Sequence, residues 1–161
     1  MFIRFVTTGG TIDKIYFDAL SQFEVGESPI DAILSEGLVR FDYDVHSMFR
    51  KDSLDLTDGD RQALRDFVAN DDAERCVISH GTDTMVETAN VLFGIPGKRI
   101  VLTGALTPAR FKTTDAIFNV GLAVAAVQLV DPGVYIAMSG QVFPADRVRK
   151  NREENRFELI D

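Results

Sequence analysis

The 161-residue sequence contains few of the residues from which disulfides and metal sites are built. It has one cysteine, Cys76, two histidines, His46 and His80, and no tryptophan. A single cysteine cannot form an internal disulfide, and this set cannot supply the ligands of a usual zinc site. The acidic residues do not follow the alternating pattern of a calcium-binding loop. The sequence therefore predicts no metal and no other cofactor, and it places Cys76, which lies in an apolar run, in the core.

Long hydrophobic runs and an excess of basic residues are also missing. The longest apolar run, Ala116 to Val130, has fifteen residues, fewer than the ~20 that span a bilayer. The opening segment, Met1 to Val6, is too short for the apolar part of a secretion signal. Twenty-five acidic against 17 basic residues give a net charge of −8, which repels nucleic-acid phosphates. We expect a cytoplasmic protein without membrane or nucleic-acid partners.

Composition and hydrophobic patterning predict a single α/β domain over residues 1–161. The sequence is 45% hydrophobic and 26% charged, as is usual for a globular domain, and no Pro/Gly/Ser-rich linker divides it. Near-continuous apolar or β-branched runs predict strands at Phe2–Thr7, Phe41–Ser47, Arg75–Ser79, Arg99–Thr103 and Gly133–Met138. Helical spacing predicts helices at roughly 29–36, 57–69, 84–94 and 113–130. This alternation predicts a doubly wound, mainly parallel sheet with helices on both faces.

Polar segments follow three of the predicted strands. They read Thr7-Thr-Gly-Gly-Thr-Ile-Asp13, His80-Gly-Thr-Asp-Thr-Met85 and Thr103-Gly-Ala-Leu-Thr-Pro108. Because ligands bind beyond the carboxyl ends of the strands in open parallel sheets, we expect all three segments in one cleft. Gly9 and Gly10 fit either an ordinary tight turn or a turn whose free amides bind an anion or an oxyanion.

Threonine hydroxyls are concentrated at two of these strand ends. Thr7, Thr8 and Thr11 lie at the first, and Thr82 and Thr84 at the second. A threonine attacks a carbonyl only when a neighbouring group activates its hydroxyl. The second segment is equally typical of a helix start, with Thr82 or the following Asp83 as the cap and His80 as a buried imidazole. The residues alone leave both interpretations open.

The pentapeptides Thr8-Gly-Gly-Thr-Ile12 and His80-Gly-Thr-Asp-Thr84 together resemble the paired signature of the bacterial-type L-asparaginase/glutaminase family. The segment Val101–Pro108, followed by Asp115 and Asn119, is similar to a third part of that family. Its members are threonine amidohydrolases that convert the side-chain amide of asparagine, and often of glutamine, to acid and ammonia. The similarity covers only the family's N-terminal domain. The resemblance thus implies a short, cofactor-free asparaginase acting on L-asparagine.

The resemblance also implies roles for individual residues. Thr11 corresponds to the first nucleophile, and Thr82 and Asp83 correspond to the second threonine and its acidic partner. Ser53 corresponds to the serine that binds the substrate α-carboxylate, while Asp83 also holds the α-ammonium group. The implied substrate-binding set is Gly10, Ser53, Gly81 and Asp83.

Three positions depart from the family pattern. The residue after Ser53 is Leu54 where the family has Gln or Ser, so one contact to the carboxylate is lost. Phe23 stands where the mobile lid carries a tyrosine; Tyr16, in the same lid, is either its substitute or a loop aromatic. The family's lysine that activates the second threonine is missing, since no lysine occurs between Lys112 and Lys150.

Lys150 is our predicted replacement for the missing lysine, with Lys112 as the other candidate. Lys98 precedes its strand and so lies at the amino end of the sheet, opposite the cleft. Lys14 and Lys51 could reach the substrate, but they are not placed to approach Thr82 as the family lysine does. Lys150 lies in the basic cluster Asp146–Arg152, where like charges favour the neutral amine that a base for Thr82 requires. The alternative is that this cluster is a solvated or phosphate-attracting tail.

Two other functions fit the same residues. One is a non-catalytic amino-acid sensor on this fold, and the other is a flavodoxin-like nucleotide or phosphate binder that uses the Gly9-Gly10 turn. The family's second domain takes part in subunit contacts, so a lone N-terminal domain predicts a homo-oligomer, a dimer or larger. The apolar tail segments Val142-Phe143 and Phe157–Ile160 are the expected contact residues.

Overall fold

A six-stranded sheet forms the centre of the fold in a computed structural model, which describes residues 1–160. The strands are β1 (Phe2–Gly9), β2 (Lys14–Phe17), β3 (Gln22–Val25), β4 (Asp42–Lys51), β5 (Arg75–Ser79), β6 (Arg99–Thr103), β7 (Gly133–Met138), β8 (Gln141–Pro144), β9 (Val148–Asn151) and β10 (Arg156–Leu159). The helices are α1 (Ile30–Glu36), α2 (Asp58–Asn70), α3 (Met85–Val91) and α4 (Ala116–Leu129).

The central sheet has the strand order β4-β1-β5-β6-β7-β8. The first five strands in this order are parallel, and β8 joins the edge antiparallel to β7. Apolar side chains of α1 and α4 pack on one face, and those of α2 and α3 pack on the other. Alternate residues of β6 therefore enter opposite layers, with Ile100 and Leu102 on one side and Val101 on the other. The predicted doubly wound, mainly parallel sheet is confirmed.

Helix α2 shows how local sequence sets an element boundary. The Thr57 hydroxyl accepts the backbone N–H of Asp60, and the Asp60 carboxylate accepts the backbone N–H of Thr57 at 2.8 Å, which completes a capping box. These hydrogen bonds, together with the ammonium of Lys51, lower the pKa of Asp60 to about 2. Leu64 and Val68 then face the core one turn apart.

The sequence pattern missed five short strands, each four residues long: β2, β3, β8, β9 and β10. In particular, the basic cluster Asp146–Arg152, for which a solvated tail was the alternative interpretation, contains β9, which pairs antiparallel with β10. Phe143 and Phe157, expected to contact another subunit, are buried in this chain's own core. Their side chains are consequently not available to a partner, whereas Val142 and Ile160 remain exposed.

Asp13 is a buried carboxyl at the base of the β2–β3 hairpin. Its side chain accepts a hydrogen bond of 2.8 Å from the Ser28 hydroxyl, and its backbone carbonyl accepts the N–H of Gly26. Burial raises the pKa of Asp13 to about 7, although the Ser28 hydrogen bond and the charges of Arg110 and Arg50 act in the opposite direction. Asp13 thus links the end of the hairpin to the segment that follows β1.

Asp13→Asn should change how stability depends on pH. The unfolded carboxyl ionises near 3.8 and the folded one near 7, so the wild type loses stability as pH rises between these values. Asparagine keeps the acceptor for Ser28 and does not ionise. Relative to the wild type, the free energy of unfolding of Asp13→Asn should rise from pH 5 to pH 8, with a slope of at most about 1.4 kcal/mol per pH unit.

Urea denaturation at the two pH values measures this difference. Asp42→Asn, at an exposed carboxylate on β4, is the matched control and should show the pH dependence of the wild type. An equal pH dependence in Asp13→Asn and the wild type would contradict the account of Asp13.

Candidate active site

Two glycines bring the polar strand ends into contact. Gly10 has a φ of 88°, and a methyl group at its Cα would lie 2.4 Å from the Cα of Gly81. A methyl group at Gly81 would in turn lie 2.6 Å from the Ser53 hydroxyl oxygen. Only hydrogen fits at both glycines. The turns that carry Thr11, Thr82 and Ser53 are therefore packed against one another, as predicted for the carboxyl end of the sheet.

Thr11 begins a 3-10 turn directly after β1. Its neighbour Thr8 is buried and donates to the carbonyl of Ser79 at 2.9 Å, so Thr8 is used structurally. Thr11 is partly exposed, and its backbone N–H donates to no acceptor within residues 1–160. Both the hydroxyl and the amide of Thr11 are thus free to meet a ligand.

Ser53 opens a short 3-10 turn on the other side of Gly81. The Asp52 carboxylate accepts the N–H of Leu54 at 3.2 Å and forms an ion pair of 2.9 Å with Lys14. The Thr84 hydroxyl donates to the Ser53 carbonyl at 2.7 Å. Ser53 is buried, whereas Leu54 is 66% exposed and offers no polar contact.

Lys150 contacts both members of the predicted pair. Its Nζ lies 2.8 Å from the Thr82 Oγ1 and 2.7 Å from an Asp83 carboxylate oxygen, and its side chain is 9% exposed. Strand β9 points Lys150 inward, while the adjacent Arg149 points outward and pairs with Glu158.

The interaction that led to the choice of Lys150 from the sequence is not the interaction that holds its side chain in the structure. The sequence argument relied on repulsion from neighbouring arginines. In the structure the charge in contact with the Lys150 ammonium is the opposite charge of the Asp83 carboxylate, at 2.7 Å. Any transfer of a proton from Lys150 therefore has to pass through Thr82 or Asp83, the two groups that it touches.

The other lysines occupy different places. Three are held by partners away from Thr82: Lys14 by Asp52, Lys51 by Asp60, and Lys98 by the carbonyls of Asp71 and Ala73 at the amino end of the sheet. Lys112 lies exposed in the loop after β6. Of the five lysines, all of which lie within residues 1–160, Lys150 alone forms a hydrogen bond with Thr82.

Among the described residues, the Tyr16 hydroxyl makes no hydrogen bond to Thr11. Tyr16 lies on β2 directly opposite Phe23 on β3, and the two rings meet edge to face at 5.5 Å. Phe23 also packs on Phe111, with ring centres 5.8 Å apart. Tyr16 is 53% exposed, and its hydroxyl makes no hydrogen bond within residues 1–160. The role of Tyr16 as a substitute for the lid tyrosine stays a prediction.

Asp115 and Asn119 close the loop that follows β6. The Asp115 carboxylate accepts the backbone N–H groups of Leu106 and Thr107, at 2.9 and 3.0 Å. The Asn119 amide donates to Asp115 at 2.9 Å and to the carbonyl of Gly104 at 3.0 Å. The third segment of the resemblance thus holds the loop and does not itself provide a reactive group.

The interpretation of His80 as a buried imidazole is confirmed, but the sequence did not identify its hydrogen-bond partners. His80 is fully buried, with Nδ1 at 2.7 Å from the Gly81 carbonyl and Nε2 at 2.7 Å from the Thr88 hydroxyl. Burial lowers the pKa of His80 to about 4. The eight-residue spacing to Thr88 carries no recognisable pattern, because the two residues lie on different elements.

The described residues contain neither a cluster of metal-ligating side chains nor a helix suited to cross a membrane. No group of three or more His, Cys, Asp or Glu residues within 1–160 is placed to hold an ion. In the same range, every helix is too short or too polar to span a bilayer. Cys76 is buried in the core, and burial raises the pKa of its thiol to about 12.

Comparison with known proteins identifies the relatives of this chain. The family profile of the asparaginase N-terminal domain matches residues 3–158. The glutaminase-asparaginase of Acinetobacter glutaminasificans is 28% identical over 163 aligned positions, which cover 90% of this chain and 48% of that protein. The L-asparaginase of Thermococcus kodakarensis is 36% identical over 87 residues, or 52% of this chain and 26% of the relative. One component of the glutamyl-tRNA(Gln) amidotransferase of Methanococcus maripaludis is 37% identical over 82 residues, or 50% of this chain and 19% of the relative.

Solved structures agree with the sequence comparison. The thermostable L-asparaginase of Thermococcus kodakarensis superimposes with a TM-score of 0.82 at 25% identity, covering 99% of this chain and 51% of that one. A probable cytoplasmic L-asparaginase of Campylobacter jejuni gives 0.76 at 26% identity, covering 98% and 51%. The chain spans about half the length of these relatives or less. The resemblance noted in the sequence is confirmed, and the chain belongs to the asparaginase family through its N-terminal domain.

Proposed function

We propose that this protein hydrolyses the side-chain amide of L-asparagine to L-aspartate and ammonia, with Thr11 as the nucleophile. The observation that carries the proposal is the contact of Lys150 with Thr82 and Asp83. This contact places an amine beside Thr82, although this sequence has another residue at the position where the family has its lysine. We further propose that the protein is cytoplasmic and needs no cofactor.

The acylation step uses the free hydroxyl of Thr11. Its oxygen bonds to the amide carbon, and the carbonyl oxygen becomes an oxyanion that the unpaired N–H groups of Thr11 and Thr82 can bind. The C–N bond then breaks. The leaving nitrogen takes the Thr11 proton and one proton from Lys150 relayed through Thr82, and it departs as ammonium.

The deacylation step restores the starting state. Water held by Thr82 adds to the acyl carbon, and the ester bond to Thr11 breaks. One water proton returns to the Thr11 oxygen and the other passes through Thr82 to Lys150, which is now a neutral amine and acts as the base. The products are carboxylate, ammonium and an unchanged protein, so atoms and charge balance over the two steps.

Ser53 and Asp83 are the proposed contacts to the amino-acid part of the substrate. Asp83 uses one carboxylate oxygen for Lys150, which leaves the other for the α-ammonium group. Ser53 binds the α-carboxylate without help from Leu54. A difference of one methylene is worth only ~1–3 kcal/mol, so we propose a side activity on glutamine.

The two alternative functions are less well supported. The sensor interpretation rested in part on the absence of the family lysine, and the contact of Lys150 with Thr82 weakens that argument. A phosphate-binding function at the Gly9-Gly10 turn is disfavoured because the Gly10 N–H already donates to the carbonyl of Lys51 at 3.0 Å and is not free for an anion.

Thr11→Ala should abolish ammonia release from L-asparagine while the fold is kept. The side chain is partly exposed and contributes little to the core, whereas loss of a nucleophile typically costs ~10³-fold or more in rate. Thr113→Ala, at an exposed threonine in the loop after β6, is the matched control and should stay active. Undiminished turnover by a folded Thr11→Ala protein would falsify the assignment of the nucleophile.

Lys150→Met and Lys112→Met separate the two candidate lysines. Lys150→Met should lose roughly 10²-fold in turnover, because no amine is then left to give and take the proton that Thr82 relays. Lys112→Met should keep wild-type turnover. Both variants are compared by ammonia release and by circular dichroism. A folded Lys150→Met protein with more than about a tenth of wild-type turnover rules out this role for Lys150.

We also propose that the protein is a homo-oligomer, a dimer or larger. Several large apolar side chains around the β2–β3 hairpin and the start of α4 are exposed: Tyr16, Phe17, Leu20, Phe23, Phe111, Ile117 and Phe118. Contiguous apolar surface favours association. Light scattering at micromolar concentration should give at least twice the monomer mass, and a fully active monomer would count against the proposal.

A further inference from the structure

We propose that Thr88 and Arg61 are positioning residues for the reaction of Thr11, acting through His80 on the peptide unit between Gly81 and Thr82. This inference rests on the proposed function and goes beyond it, because none of these three side chains belongs to the set of nucleophile, relay and substrate contacts. His80 and Thr88 are completely buried, and Arg61 is nearly so.

The side chains form one continuous chain of hydrogen bonds from α2 to the reacting turn. Arg61 is anchored by Nη1, which donates to the carbonyl of Leu56 at 2.9 Å. Its Nε donates to the Thr88 hydroxyl at 3.1 Å. The Thr88 oxygen lies 2.7 Å from His80 Nε2, and His80 Nδ1 lies 2.7 Å from the Gly81 carbonyl oxygen.

The donor and acceptor chemistry of the partners determines which atom carries each proton in this chain of hydrogen bonds. The Gly81 carbonyl can only accept, so His80 Nδ1 carries a proton and donates it to that carbonyl. In the neutral ring Nε2 then carries a lone pair and accepts the hydroxyl proton of Thr88, whose oxygen accepts from the Arg61 Nε–H. The ring is neutral at physiological pH, consistent with the lowering of its pKa to about 4 by burial.

The tautomer determines the direction of a backbone amide. In a trans peptide the carbonyl and the N–H of one unit point in opposite directions. Because the Gly81 carbonyl points at the buried ring, the Thr82 N–H points away from it. That N–H donates to no acceptor within residues 1–160, and the same holds for the Thr11 N–H on the turn packed against it.

The hydrogen bond from His80 matters because Gly81 has no side chain to restrain its backbone. Without the ring N–H, the Gly81–Thr82 peptide unit loses the hydrogen bond that fixes its orientation, and the Thr82 N–H is less well directed. An amide that binds the oxyanion contributes in the transition state and little in the bound substrate, so its loss lowers kcat and leaves KM nearly unchanged. Removing one such donor outright costs ~10²–10³-fold in kcat, and misdirecting it costs less.

Three variants at buried threonines test the inference on asparagine. Thr88→Val should lower kcat about tenfold or more with KM within about twofold, and Thr88→Ser, which keeps the hydroxyl, should restore kcat. Thr103→Val is the matched control, because that hydroxyl is equally buried and donates to the carbonyl of Ala137 instead of to His80. A kcat loss in Thr88→Val no larger than in Thr103→Val, or no rescue by Thr88→Ser, overturns the proposal.

Nitrogen NMR of the His80 ring in the wild-type protein provides a second measurement that needs neither a variant nor turnover. The expected state at pH 7 is the neutral ring with the proton on Nδ1; an imidazolium or the Nε2–H tautomer overturns the proposal. Addition of L-aspartate should also shift the Thr82 amide signal. A wild type that releases no ammonia would refute the proposed function. The placement of the Thr82 amide by His80 would then still be supported by the Nδ1–H tautomer together with a Thr82 shift, and rejected if either is absent.

Discussion

The site depends on the contact between Gly10 and Gly81, which no other residue type permits. Strands β1 and β5 are parallel neighbours, so their carboxyl ends lie side by side, but only hydrogen atoms at these two Cα positions let the turns touch. A Cβ at Gly10 would push apart the turns that carry Thr11 and Thr82, and a Cβ at Gly81 would push the turn of Thr82 away from Ser53. The same contact continues to Ser53, so three separate segments of the chain form one surface.

The lysine beside Thr82 comes from a different part of the sequence than in the family. The chemistry depends on where the amine lies in space, and not on which segment of the chain supplies it. In the family the lysine belongs to the helix after Asp115, and here that helix, α4, contains no lysine. The β9–β10 hairpin supplies Lys150 instead, and Phe157, opposite it in register, is buried in the core and holds the hairpin down. Asp83 pairs with this lysine and compensates its charge.

Much of the fold could be predicted because its main elements have long, clear patterns. Strands such as Arg99–Thr103 are apolar on both faces, and the helix that begins after Thr57 has a capping box and a regular apolar face. The four-residue hairpin strands could not be predicted, since alternation over four positions with charges such as Arg149 and Lys150 is indistinguishable from a loop. Their strand conformation comes from pairing with distant or adjacent segments.

The sequence alone determined which segments compose the site, because two motifs at the ends of parallel strands must meet at one edge of the sheet. It also reduced the lysines to two. Tertiary structure alone decided that Lys150 touches Thr82, that His80 is buried between the Gly81 carbonyl and the Thr88 hydroxyl, and that burial raises the pKa of Asp13. These properties depend on burial and on partners such as Thr88 and Ser28, and a hydrogen bond or a desolvation energy exists only once the chain has brought those groups together.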